Sequence, residues 1–204
     1  MNFYQRFILP RLIDLAMRNR EVAHYRRQAA PLAEGRVLEI GIGSGLNLPF
    51  YQPAVTQLFG LDPSPRLLAM AGHRIDGAAF PVELLQGTAE SIPLESDSVD
   101  TLVSTWSLCS IADLDSALSE MRRVLKPSGK LLFVEHGLAP ELGVQRLQRG
   151  LNPLWRPVSG GCHLDRKIDK LISDAGFRMD SLGCEYAKGP RFLTYFYRGI
   201  ARVR

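Results

Sequence analysis

Apolar residues along this chain fall into two patterns. Short unalternating runs occur at Val37–Ile40, at 57–62 (Gln57-Leu58-Phe59-Gly60-Leu61-Asp62), at 82–87, at 98–104 and at 130–135. Runs of that length, rich in Val, Leu and Ile, suit strands of a parallel sheet covered on both faces. From Arg36 the chain reads as alternating strand and helix, with apolar positions that recur at helical spacing between the runs. Pro63-Ser64-Pro65 opens one such segment through Leu67, Leu68, Met70 and Ala71. The clearest runs through Leu114, Ala117, Leu118, Met121 and Leu125, with Asp113 as its cap and Pro127-Ser128-Gly129 as its stop. A third takes Ile168, Leu171, Ile172 and Ala175 and is closed by Gly176.

Two regions depart from this rhythm. Residues 3–30 read as helical, broken around Pro10, with no clean apolar stripe and with Arg18, Arg20, Arg26 and Arg27 crowding the second half. Residues 136–165 are rich in Gly, Pro, Arg and Gln, and only a short helix at Val144–Gln148 is expected there. A stretch so irregular inside a compact domain is usually functional, commonly a substrate lid. Two closing strands are expected at 180–186 and 192–197, which brings the strand count to seven. The expectation is one domain over 1–204: an arm at 1–34, a ligand-binding half at 35–135, the lid at 136–165, and a terminal helix with strands at 166–204.

Composition adds limits. With 204 residues the chain can bury a sound core without disulfides, and a net charge of +4 permits an anionic partner but demands none. Cys109, Cys162 and Cys184 are an odd set without paired spacing, which predicts reduced thiols and a reducing compartment. No signal-peptide pattern follows the first residue, and the apolar patch at Phe7–Met17 is interrupted by Arg11 and Asp14, too short and too charged to span a bilayer. A cytoplasmic enzyme is the expectation. The alternative is an interfacial arm, apolar with arginines, lying on an anionic membrane.

The chemistry concentrates at Glu39-Ile40-Gly41-Ile42-Gly43-Ser44-Gly45, where a buried strand ends in a glycine-dense loop. A dinucleotide fingerprint has G-x-G-x-x-G/A spacing and seats a pyrophosphate at a helix N-terminus. Here the spacing is G-x-G-x-G, and Leu46 occupies the place of the third small residue. Glu39 would also repel a pyrophosphate. A cationic ligand reverses that sign. S-adenosylmethionine has a sulfonium and an ammonium group, no phosphate, and a ribose that takes an acidic partner, so it is the cofactor this loop predicts.

Ligands of open α/β sheets bind beyond the carboxyl ends of the strands. Asp62 ends the second strand about twenty residues after the first loop glycine, where an acid bonds ribose hydroxyls; capping the next helix is compatible with the same position. Ala89 and Glu90 follow the third strand, where a backbone amide and a side chain could read an adenine edge, although Glu90 also suits a solvated loop acid. Thr105 and Trp106 follow the fourth, where the methionine end and a methyl acceptor would meet, with Trp106 equally suited to the core.

Glu39-Ile-Gly-x-Gly-x-Gly45, Asp62-Pro-Ser, Gly87-Thr-Ala-Glu90, Leu125-Lys-Pro-Ser-Gly129 and Ala175-Gly-Phe177 together resemble class I S-adenosylmethionine-dependent methyltransferases of the type 11, UbiE-like kind, over about residues 35–180. Leu108-Cys109-Ser110-Ile111, Glu135-His136-Gly137, Arg146-x-x-Gln148, Asn152-Pro153-x-Trp155 and Gly160-Gly161-Cys162-His163-Leu164 are similar to the methyltransferase-like subfamily that includes the animal microsomal alkyl-thiol methyltransferases. Animal members carry a hydrophobic N-terminal anchor, and this chain starts close to where that anchor would end. The resemblance implies an α/β fold, a Rossmann-like doubly wound, mostly parallel seven-stranded sheet with an N-terminal helical arm and an inserted lid after strand five. It implies cofactor contacts from Glu39, Gly41, Gly43, Gly45, Asn47, Asp62, Pro63, Ala89, Glu90 and Thr105.

The activity so implied is methyl transfer by in-line displacement to a small lipophilic acceptor, a thiol among the options. A thiolate needs no strong base, because some is present near neutral pH. For an oxygen or amine acceptor, His136 and His163 are the available imidazoles, although a lone loop histidine is more often structural. Competing readings are a phospholipid or other membrane-associated acceptor, and a cofactor-binding protein without turnover. Nucleic acid is disfavoured, since the place of an Asn/Asp-Pro-Pro-aromatic segment holds Thr105-Trp106-Ser107-Leu108 and no aromatic platform interleaves the basic residues. No metal is expected, because adjacent Cys162 and His163 rarely serve one zinc and C-x-x-C or H-x-x-x-H spacing is missing.

Overall fold

The computed structural model describes residues 3–204. Seven strands, β1 (Gly35–Ile40), β2 (Val55–Asp62), β3 (Val82–Gln86), β4 (Val99–Thr105), β5 (Leu125–His136), β6 (Phe177–Tyr186) and β7 (Tyr195–Val203), form one sheet in the order β3-β2-β1-β4-β5-β7-β6. Pairing is parallel from β3 to β5; β7 runs antiparallel to both β5 and β6. The doubly wound, mostly parallel sheet inferred from the apolar runs is the observed one.

Those runs do not alternate because the inner strands β1, β2, β4 and β5 bury both faces; the edge strand β3 is only partly covered. Leu38, Phe59, Leu102 and Leu131 pack on one side against α4 (Leu114–Val124) and α6 (Ile168–Asp174). Their neighbours Val37, Leu58, Val103 and Leu132 pack on the other, with Leu48, Tyr51 and Leu68, the last from α3 (Pro65–Ile75). Each fully buried aliphatic side chain contributes roughly 1.5–3 kcal/mol. The helix starts follow their caps: Ser64 accepts from Leu67 N–H at 3.3 Å and Asp113 from Ser116 N–H at 3.1 Å.

Three expectations need correction. The N-terminal segment is interrupted not only beside Pro10, where a π-helical turn (Tyr4–Ile8) gives way to α1 (Leu9–Met17), but also at Arg18-Asn19, before α2 (Arg20–Ala29). Pro10 sits in the first turn of α1, where no intrahelical N–H is required, whereas Asn19 caps α2 by accepting from Val22 N–H. The short helix expected at Val144–Gln148 is α5, Leu142–Val158, seventeen residues that contain Pro153 and Pro157. Tertiary bonds hold it through the prolines. Gln148 accepts from Ala139 N–H at 3.0 Å, and Asn152 accepts from Leu164 N–H at 3.0 Å while donating to Asp165 at 2.7 Å. Finally, strand and helix do not alternate throughout, because only a short 3-10 turn (Leu48–Phe50) joins β1 to β2 and no helix lies between β3 and β4.

Strand order reverses between β1 and β4, so the loops after these two strands open a crevice at the carboxyl edge of the sheet.

Candidate active site

Glu39, one residue from the end of β1, is buried to 2% exposure. Asn47 Nδ2 donates to its Oε1 at 2.7 Å, and the Tyr51 hydroxyl donates to its Oε2 at 2.8 Å. The same Asn47 amide donates to Thr105 Oγ1 at 2.9 Å, so one side chain ties the end of β1 to the end of β4 across the reversal point. Burial raises the Glu39 carboxyl to about 7, against the opposing pull of Tyr51, Asn47 and the Arg26 guanidinium.

The glycine loop meets β2 through Asp62, whose Oδ2 accepts from Gly43 N–H at 2.9 Å and whose Oδ1 accepts from Ser64 N–H at 2.8 Å. Burial raises this carboxyl too, while the two backbone donors lower it. Gly41, at φ +68°, lies so close to the β4 loop that a Cβ would stand 2.1 Å from Ser107 Oγ. Gly43, at φ +58°, faces open space, with nothing nearer a Cβ than Gly41 O at 3.9 Å. Gly41 therefore serves loop packing, and Gly43 leaves room for a ligand against the backbone.

α1 and α2 close the other side. Asp14 accepts from the Ser44 hydroxyl at 2.6 Å and pairs with Arg18 and Arg74. Burial opposes its ionisation, yet these partners hold its carboxyl below the ordinary value. Arg26 on α2 lies buried with its guanidinium 5.1 Å from the Trp106 ring centroid, and Trp106 packs edge-on to Phe196 at 5.7 Å. Trp106 is at φ +56°, a backbone conformation that costs a non-glycine residue about 1–3 kcal/mol and concentrates at functional sites. Behind it, fully buried Glu135 accepts from Ser104 Oγ, Ser107 N–H, Leu108 N–H and Cys109 N–H at 2.7–3.3 Å, which fixes the β4 loop.

Glu39, Asn47 and Thr105 thus form one bonded group, and Gly43 joins Asp62 beside them. Ala89 is buried in the core, Pro63 is exposed, and Glu90 Oε1 accepts from Asp113 N–H at 3.3 Å, at the start of α4. Neither histidine bonds this group among the described residues. His136, at the end of β5, approaches Cys162 at 3.6 Å, and His163 donates its backbone N–H to Cys109 O at 2.8 Å. Burial and Arg166 lower the His163 pKa. Sequence reasoning missed Tyr51, Ser107, Asp14 and Glu135. Only Glu135 had a signal, a carboxylate inside an otherwise apolar strand.

Residues 38–133 match the family described as Methyltransferase domain. A thiol S-methyltransferase of Rattus norvegicus, TMT1B, is 37% identical over 71% of this chain and 60% of its own length. The human thiol S-methyltransferase TMT1A is 31% identical over 86% of this chain and 73% of its own length. This chain belongs to the S-adenosylmethionine-dependent methyltransferase family. A solved methyltransferase of Thermotoga maritima, titled a possible histamine N-methyltransferase, shares the fold at TM-score 0.69 and 23% identity, covering 98% of this chain and 99% of that one. The methyltransferase spans only about 60% of the rat relative.

The residues present fit S-adenosylmethionine. Asn47 Oδ1 is buried without a hydrogen-bond partner among the described residues, next to the Glu39 carboxylate, and an ammonium group would satisfy both. Each Asp62 oxygen accepts one bond and keeps capacity for a ribose hydroxyl.

Proposed function

We propose that this methyltransferase transfers a methyl group from S-adenosylmethionine to a small lipophilic thiol. The observation that carries the reading is the aromatic cluster after the end of β4, where partly buried Trp106, next in sequence to Thr105, packs edge to face on buried Phe196, which in turn packs on Tyr25. Such a cluster recognises an apolar acceptor by area rather than by hydrogen bonds. Similarity to thiol S-methyltransferases supports the choice of sulfur.

When bound, the cofactor supplies an electrophilic methyl group on a sulfonium. Glu39 and Asn47 would hold its cationic end, Asp62 would orient its ribose, and Thr105 with Trp106 would line the acceptor side. Toward the transition state a thiolate and a sulfonium neutralise each other, so dry aromatic surroundings favour reaction, and the protein contributes orientation and exclusion of water. The thiol proton leaves to solvent before attack. No imidazole is required, in keeping with the separation of His136 and His163 from the Glu39 group. The test is a series of alkanethiols: each added methylene buried against the cluster is worth about 0.8 kcal/mol, so kcat/KM rises up to about fourfold per carbon. A flat series contradicts the reading.

A second reading concerns where the reaction takes place. Leu15 on α1 and Leu142 and Leu154 on α5 are 70%, 69% and 75% exposed, and Arg11, Arg146, Arg149 and Arg156 on the same two helices are exposed. The segment just before α1 reaches the end of α5, where the Tyr4 hydroxyl donates to Val158 O at 2.9 Å. Exposed leucines flanked by arginines suit peripheral contact with an anionic membrane, from which a lipophilic acceptor would be drawn. No helix among the described residues is long and apolar enough to cross a bilayer.

A further inference from the structure

Cys109, His136 and Cys162 come from three different elements: the loop after β4, the last residue of β5, and the segment after α5. Their ligand atoms all lie within 4.8 Å of one another. Cys162 Sγ stands 3.6 Å from His136 Nδ1, and Cys109 is buried to 2% exposure. In a tetrahedral zinc site with Zn–S near 2.3 Å and Zn–N near 2.0–2.1 Å, donor atoms are separated by roughly 3.5–3.8 Å. The observed spacing needs only small side-chain adjustments to meet that.

His136 is 5% exposed, and its Nε2 has no hydrogen-bond partner among the described residues. A core imidazole normally satisfies both nitrogens, and leaving one bare costs about 1–3 kcal/mol. Nδ1, the nitrogen 3.6 Å from Cys162 Sγ, is the one placed to ligate an ion, with the ring proton then on Nε2.

We propose that Cys109, His136 and Cys162 bind a zinc ion. Two thiolates and a neutral imidazole are a donor set that selects zinc over harder cations. The surroundings suit it. Glu135 fixes the backbone of Cys109 through its N–H at 3.3 Å, as an outer group that orients a ligand. Arg166, bonded to Leu108 O and Ile111 O, balances the Glu135 charge, so that two thiolates, one zinc, one carboxylate and one guanidinium sum to zero. Three protein donors leave the fourth tetrahedral position to an exogenous ligand. The ion would reinforce the clamp of the segment after α5 onto the loop that follows Thr105, to which His163 N–H already bonds at Cys109 O.

The experiment uses the full chain, purified with its thiols reduced and dialysed against zinc chloride, with bound metal counted by mass spectrometry. One zinc per chain is expected, lost in Cys109→Ser, Cys162→Ser and His136→Ala and kept in Cys184→Ser, whose thiol is exposed and apart from the cluster. Because the buried substitutions could unfold the chain, cobalt is also added to the wild-type protein, and thiolate-to-cobalt charge-transfer absorption with tetrahedral visible bands is expected. A reduced chain that binds no zinc, zinc retained when both Cys109 and Cys162 are replaced, cobalt spectra without thiolate bands, or a Cys109–Cys162 disulfide in protein purified under reductant would each overturn the proposal.

Discussion

Asn47 donates to Glu39 at 2.7 Å from a position eight residues further along the chain, and the same amide reaches Thr105 at 2.9 Å. This pair decides how a carboxylate survives in the core at the reversal point of the sheet. Burial pushes Glu39 toward its neutral form, and Asn47, Tyr51 and Arg26 push back, leaving a group that titrates at about 7.

Cofactor affinity should therefore depend on pH. A cationic ligand binds the ionised carboxylate, so below about pH 7 a proton must leave Glu39 before the ligand is held. The dissociation constant for S-adenosylmethionine is expected to rise by up to about tenfold per pH unit below that point and to level off above it. The sign for stability is opposite: the raised carboxyl stabilises the ligand-free fold below the unfolded value near 4.5, and that contribution is lost as pH rises through about 7. Calorimetry between pH 5.5 and 8.5 measures the first effect (the range spans the titration by more than about one unit on each side), and Glu39→Gln should abolish it. A pH-independent dissociation constant in the wild type would refute this role for Glu39.

Gly43 and Gly60 separate binding from packing. A side chain at Gly43 enters the open face of the loop at φ +58°. Gly43→Val should cost about 1–3 kcal/mol of stability by urea unfolding and should abolish calorimetric binding of S-adenosylmethionine. A Cβ at Gly60 would lie 2.4 Å from Ile42 Cδ1 and 3.1 Å from Leu84 Cδ2, in the apolar core. Gly60→Ala should lose about 1–3 kcal/mol while the folded fraction still binds. Equal affinities in Gly43→Val and wild type would contradict the loop's assignment.

The membrane reading makes a separate prediction. The full chain should float with vesicles that contain anionic phospholipid and stay behind with purely zwitterionic ones, and Leu15→Glu with Leu154→Glu should abolish flotation without altering the unfolding midpoint. Flotation unchanged by the double substitution would count against these two helices as the contact surface.

Much of the fold was legible because strands buried on both faces must be apolar at consecutive positions, as in Val37-Leu38 and Leu131-Leu132. The gathering of Glu39, Asp62 and Thr105 was legible because they sit at strand ends, which topology brings to one edge of the sheet. Where local signals failed, tertiary contacts had overridden them. Pro153 and Pro157 read as breakers, yet α5 continues through both because buried Gln148 and Asn152 anchor it to neighbouring loops. Cys109, His136 and Cys162 have no common spacing, since they meet only after β4, β5 and the segment after α5 have packed. Arg26 looked like one of several surface arginines, but α2 turns it inward over Trp106.

The proposed reaction is methylation of a lipophilic thiol at the sheet edge that carries Glu39, Thr105 and Trp106. The most direct measurement supplies the full chain with methyl-labelled S-adenosylmethionine and, in parallel, long-chain alkanethiols, the matching alcohols and phenols, phospholipid vesicles and tRNA, and identifies the labelled product. Label in the thioether, and its loss in Gly43→Val, is the predicted result. Label confined to phospholipid, to tRNA or to the oxygen acceptors would contradict the claim.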